Sequence, residues 1–268
     1  MLTIISFNYR KRFIVSKKTK ANRKFYVRFA TSSDYKKVMD FYQTNEHDSV
    51  RKREEALLKN LSDQGSIVFV EDDKGEIVAA SISYAHQGKD SNGVTVNKWL
   101  EVGSTRIAAN GFAGLFNVMC TAQVLRTFLV EPPEDCFVGH MENRPVQKIA
   151  ESLGWKAFTA PQEMLKSSDK TINTGDIENR NQDGWYNCDM EGVGVMAKCM
   201  VDAMNKPTLK HYKTGEEVEI TIERCPVLNM FWPNIEALAK KDFNAPENKN
   251  DKAMGIRKNR DKWLYKLR

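Results

Sequence analysis

A chain of 268 residues with 41% hydrophobic and 28% charged residues is that of an ordinary globular protein, not of a fibrous, collagen-like or wholly disordered one. Its length accommodates one large domain, or one of about 130–150 residues with a substantial extension. No apolar run approaches the roughly 18–20 residues that cross a bilayer, so no membrane-spanning helix and no membrane partner are expected. The formal net charge of +6 is uneven. Residues 1–24 carry +8 and residues 249–268 carry +6, which leaves −8 for residues 25–248. The five cysteines (Cys120, Cys136, Cys188, Cys199, Cys225) are odd in number and lack a C-x-x-C pair. That is neither a disulfide framework nor a zinc module, and a reducing, cytoplasmic setting is the simplest expectation. His47, His86, His140 and His211 show no ligand spacing, so no metal is expected.

Taken in chain order, the basic arm 1–24 precedes "FYVRFA" (25–30), whose alternation predicts a strand. Thr31, Ser32 or Ser33 then caps a helix with Tyr35, Val38, Met39 and Tyr42 on one face, and residues 50–61 predict a second helix. "SIVFVED", a "DKGE" turn and "IVAASISYA" predict a hairpin, followed by a loop at 87–94 and a strand "NKWLEVGSTRIA". "NGFAGLFNVMCTAQVLRTF" predicts an apolar helix and "CFVGHM" a short buried strand. "NRPVQKIAESLGW" predicts a helix capped by Asn143 and stopped at Gly154. Beyond residue 160 the pattern weakens: an exposed polar loop at 166–184, a helix at 193–204, a hairpin about Thr214-Gly215 and a helix over "FWPNIEALAKKDF". The expected fold is α/β, with a mixed, mostly antiparallel sheet and flanking helices. The expected divisions are 1–24, 25–160, a mixed extension 161–248 and a basic tail 249–268.

Two segments carry chemistry. The turn "RIAANGFAGLF" (106–116) enters a helix through glycines, and unpaired amides at a helix N-terminus bind phosphate without a charged side chain. Small residues there equally permit close helix–sheet packing. Glu101 is the sole acid of its strand; it serves either as a proton acceptor or as a strand-end carboxylate facing solvent. Trp263 and Tyr265 stand among the basic residues of the tail, where they suit either stacking on an anionic partner or pinning the tail to the body.

The order of these elements resembles the GNAT superfamily of N-acyltransferases over about residues 25–160. The resemblance rests on Arg28, Ala30 and Asp34 in the first strand and helix, on the hairpin 66–85, and on Asn143, Leu153, Gly154 and Trp155 about the late helix. It implies acetyl-CoA as co-substrate, with a splay between strands 99–107 and 136–141. It places the pyrophosphate at Gly111, Phe112, Ala113 and Gly114, the pantetheine arm along the strand to Ile107, and Asn143 near the cofactor. Glu101 becomes the base toward an amine acceptor. Two positions depart from the family pattern: Ala108 stands where Gln or Arg is usual, and Ala150 where a Tyr acts as general acid. These departures keep open a second implication, a catalytically degenerate module docked by basic tails to an anionic partner.

Overall fold

In a computed structural model the described residues are 23–45, 54–109, 111–141, 143–172, 184–243, 245, 248 and 254–265. Residues 1–22 of the basic arm, His47, the start of the 50–61 helix, residues 173–183 of the polar loop and parts of the tail lie outside them.

The first half runs β1 (Lys24–Phe29), α1 (Tyr35–Thr44), α2 (Glu55–Asp63), β2 (Ile67–Asp72), β3 (Ile77–Lys89), β4 (Thr95–Ile107), α3 (Leu115–Val130), β5 (Cys136–His140) and α4 (Arg144–Ser152). The second half runs β6 (Lys156–Ala157), α5 (Gln162–Ile172), β7 (Trp185–Cys188), α6 (Met190–Asn205), β8 (Thr208–Lys210), β9 (Glu217–Thr221), α7 (Pro226–Met230), α8 (Trp232–Ala239) and α9 (Ile256–Tyr265). The nine strands among the described residues join one sheet in the order β6-β7-β5-β4-β3-β2-β1-β9-β8. β4–β5 and β1–β9 pair parallel and the other neighbours antiparallel, giving the mixed, mostly antiparallel sheet.

Helices cover both faces. On one face α1 and α2 bury Val38, Phe41, Leu58 and Leu61 against Ile67, Phe69, Ala80, Ile82 and Tyr84. Farther along the same face α5 sets Met164 and Leu165 on Trp99, Val138 and Trp185. On the opposite face α3 lies between the sheet and α6, which explains a sequence apolar on all sides: twelve of its residues, including Leu125 and Phe128, are buried. Burying each such Phe or Leu contributes about 1.5–3 kcal/mol.

Several sequence expectations change. Asp34, not Thr31–Ser33, is the N-cap of α1, and its carboxylate accepts from the Thr31 amide (2.9 Å) and from Arg28 (3.1 Å). The loop expected at 87–94 contracts to a turn at 90–94, because Asp90 accepts the amides of Asn92 and Val94 and lets β3 and β4 zip to their ends. The polar stretch after residue 160 contains α5, whose two buried side chains suffice to seat it; Ser167 and Glu163 accept the amides of Gln87 and Lys89. These bonds cap the part of β3 that β2 leaves unpaired. β7, β8 and β9 lie within the expected mixed extension 161–248 and pair into the same sheet as residues 25–160. The described part of the tail is the docked helix α9: Ile256 is buried, its amide bonds Asp135 O (3.0 Å), and the Trp263 ring lies 6.1 Å from that of Phe128. Pinning, not exposure, is therefore the role of Trp263.

One buried carboxylate ties distant strands together. Glu71, 2% exposed at its side chain, meets Lys37 at 2.9 Å, Arg28 at 3.3 Å and Arg224. Burial works against the charge, but hydrogen bonds from Lys37 and Arg224 and the field of Arg28 outweigh it and hold the carboxyl below its ordinary value.

Candidate functional site

The site is built on β4. Its ladder with β5 comprises Trp99↔Cys136, Leu100↔Phe137 and Glu101↔Val138; β4 then runs on to Ile107 and β5 to His140 without pairing to each other. Toward β3 the register slips between Ala80/Ile82 and Arg106/Gly103, so β4 carries an extra residue at Ser104–Thr105. Ser104 sits at φ +47, a left-handed conformation unusual for a residue other than glycine. Two tyrosines hold it there: Tyr42 of α1 donates to Ser104 O (2.7 Å), and Tyr84 Oη lies 2.9 Å from Ser104 Oγ. Arg106 Nε donates to Asn45 O (2.8 Å), a second link from the end of α1 to β4.

Strand alternation places Ile82, Tyr84 and His86 of β3 and Trp99 and Glu101 of β4 on the α1/α2/α5 face. Glu101 is 5% exposed, so the solvent-facing reading of this carboxylate does not describe it. It is not solvated but paired: its Oε2 lies 2.8 Å from Nε2 of His86, which is fully buried. Sequence reading missed His86 by ending β3 at Ala85. The signal was present in the continued alternation Ile82, Tyr84, His86, which carries a polar side chain at a core-facing parity. His140 is half-buried at the end of β5, its ring 5.1 Å from that of Trp185. Burial and the nearby Asp135 push the Cys136 thiol up to about 12, so it stays protonated and unreactive near neutrality.

The second part of the site follows β4. Ile107 ends the strand opposite Ala79 and packs against the core of the α3 face. Residues 108–114 lead to α3, with Gly114 as its N-cap. Here the structure adds a feature that sequence did not reveal. The β8–β9 hairpin tip closes on this turn: Ala113 N–H donates to Lys210 O (3.2 Å), Tyr212 N–H donates to Gly111 O (2.9 Å), and Phe112 forms a bridge with His211. Phe112 stands edge-on between Phe25 and His211. Gly111 has φ +107, and a Cβ there would collide with the His211 imidazole, so both backbone shape and space demand glycine. The amide of Ala113 is thus committed within the chain, which removes it from the anion-binding set expected of Gly111–Gly114.

Asn143 caps α4, its Oδ1 accepting from Val146 N (2.9 Å). Ala150 is 1% exposed and packed in the core, so this position supplies no hydroxyl. Among the described residues no group of three or more His, Cys, Asp or Glu is disposed to hold a metal ion, and no helix is long and apolar enough to cross a membrane.

No protein-family model matches the chain, and no curated protein matches it. Solved structures similar to it include mosquito arylalkylamine N-acetyltransferase like 5b (11% identity, 61% of this chain and 97% of that one, TM-score 0.42). Arabidopsis thaliana NAA60 in complex with acetyl-CoA is similar at 11% identity over 50% of this chain and 85% of that one, with a TM-score of 0.40. Diaminobutyrate acetyltransferase EctA from Paenibacillus lautus, in complex with its substrate and coenzyme A, is similar at 14% identity over 49% and 78%, with a TM-score of 0.36. Likenesses this distant carry nothing about substrate or reaction.

Proposed function

We propose that this chain is an acyl-CoA-dependent N-acyltransferase that moves an acetyl group from acetyl-CoA to an amine. The observation that carries the reading is Glu101, a buried carboxylate placed where the β4–β5 ladder ends and beside the β4 bulge. In the reaction the amine nitrogen attacks the thioester carbonyl and a C–N bond forms. Glu101 takes the proton the nitrogen sheds, and the C–S bond breaks to release the thiolate, which is reprotonated as free thiol. A β4 amide beyond Glu101 is the donor to the developing oxyanion. Since Ala150 offers no acid, the thiolate leaves unassisted or takes a proton from solvent. Ile107, Gly111, Phe112, Gly114 and Asn143 remain the proposed cofactor contacts; a contact at the Ala113 amide requires the hairpin tip to lift from Lys210. A cytoplasmic setting belongs to the same proposal and is supported by five unpaired thiols.

The test is a thermal shift with acetyl-CoA. Stabilisation that grows with ligand concentration is expected; none at millimolar acetyl-CoA overturns the proposal.

One observation favours a second reading, a GNAT-like module without turnover. The hairpin tip occupies the turn where a pyrophosphate is expected, and Ala150 removes the acid. In that reading the basic termini serve an anionic partner, which predicts nucleic-acid or anionic-surface binding that falls steeply with salt and disappears on removal of residues 1–24. Acetyl transfer that is lost in Glu101→Gln excludes it.

A further inference from the structure

Glu101 is not set by its own strand alone. We infer that His86 is a positioning residue for Glu101, holding its Oε2 so that the carboxylate is aimed along β4 toward the bulge; this rests on the acyltransferase reading above.

The geometry is specific. His86 Nε2 and Glu101 Oε2 are 2.8 Å apart across adjacent strands, fifteen positions apart in sequence. The His86 ring is 0% exposed, and its Nδ1 is buried with no hydrogen-bond partner among the described residues. A carboxylate oxygen only accepts, so Nε2 carries the proton of this bond. A second proton on Nδ1 would be a buried donor without an acceptor, which carries a cost. The geometry therefore puts the bonded proton on Nε2 and offers no acceptor for a second one at Nδ1. The pair can hold one carboxylate charge without neutralising it, which suits a group that must accept a proton.

The same bond fixes direction. With Oε2 on His86, Oε1 lies over Gly103: a Cβ placed there would be 3.3 Å from Oε1. Gly103 is the residue before the strained Ser104, just past the last β4–β5 pair. A side chain at Gly103 would crowd that oxygen. A histidine serving only the core would bond a backbone carbonyl and fill both nitrogens. This one spends its single bond on the acid and leaves the other nitrogen unmet, a cost that needs a reason.

The test uses the full chain. In long-range proton–nitrogen NMR of histidine-labelled protein, His86 is expected as the neutral Nε2–H tautomer, and Glu101→Ala is expected to move its ring signals. Acetyl-CoA turnover is followed as thiol release with spermidine, tryptamine and a lysine-bearing peptide as probe amines. His86→Phe is expected to lower kcat about 10–100-fold, the scale of a misplaced catalytic group, with the KM for acetyl-CoA within about twofold. His86→Gln, which retains an N–H donor, is expected to recover part of that loss and keeps the test valid if the Phe variant folds poorly. An Nδ1–H tautomer, an imidazolium, or an unchanged kcat in both variants overturns the inference. Wild-type protein that is stabilised by acetyl-CoA yet releases no thiol with any probe amine overturns the Glu101–His86 role and spares the cofactor reading. Failure of acetyl-CoA to stabilise the protein sinks the acyltransferase reading itself, and the NMR tautomer tells the two failures apart.

Discussion

The two ends of the candidate site are built differently. At Glu101, two strands bring an acid and an imidazole together inside the sheet, and the neighbouring strand stops pairing just beyond them. At residues 111–114, a hairpin from about a hundred residues later in the chain lies on the turn and takes its Ala113 amide. The first arrangement holds polar groups poised; the second has already matched one of them. An isolated look at the glycine-rich turn gives an anion site, and an isolated look at the strand gives a lone carboxylate. Placed side by side, they teach that the reacting end is assembled and the anchoring end is partly closed, so binding and chemistry in this chain are separable measurements.

The comparison can be broken at several points. Glu101→Gln removes the base and should cut acetyl transfer by about 10²–10⁴-fold while leaving acetyl-CoA stabilisation intact, as read from kcat and thermal shift together. Equal loss of binding and turnover would merge the two ends that the structure separates. Phe128→Ala, on the apolar face and away from both ends, should cost about 3–5 kcal/mol in denaturant unfolding, because Phe128 is a fully buried side chain of α3 and meets Trp263 of α9. Gly111→Ala should cost about 1–3 kcal/mol in the same measurement through its positive φ and the collision with His211. If it costs nothing, the hairpin tip does not sit on the turn.

Glu71 supplies a control distant from the chemistry. Its folded pKa is held below the ordinary value of 4.5, so its stabilisation is complete above about pH 4.5 and is lost as pH falls through the lower, folded value. The midpoint of thermal unfolding should therefore drop on acidification below about pH 4.5, and Glu71→Gln should flatten that part of the curve. Asn143→Ala should give the smallest effect, about 1 kcal/mol, from loss of the cap on α4. A much larger loss of acetyl-CoA binding in that variant would assign Asn143 to the anchoring end instead.

Much of the fold was legible because it rests on short-range periodicity. β1, β2, β5, α3 and α4 announce themselves by alternation, by an apolar run, or by an Asn cap with a Gly stop. What escaped depends on pairing between segments far apart. α5 looks like loop because only Met164 and Leu165 need be apolar to seat it on Trp99 and Trp185. His86 looks incidental until the β3–β4 register puts it beside Glu101. The closure of residues 111–114 by His211 involves residues a hundred positions apart, and no local pattern encodes it. Of the candidate site, the carboxylate and the glycine-rich turn were readable, whereas the partner of each was not.

The parallel pairing of β1 with β9 has a consequence for biosynthesis. β1 leaves the ribosome well ahead of the strand that shields its outer side, Glu217–Thr221, which is made nearly two hundred residues later. Until then the nascent sheet offers a bare hydrogen-bonding margin along Lys24, Phe25 and Tyr26, of which Phe25 is wholly enclosed in the finished protein. Chains halted before residue 217 should therefore associate with one another, and chains extended past β9 should lose that tendency.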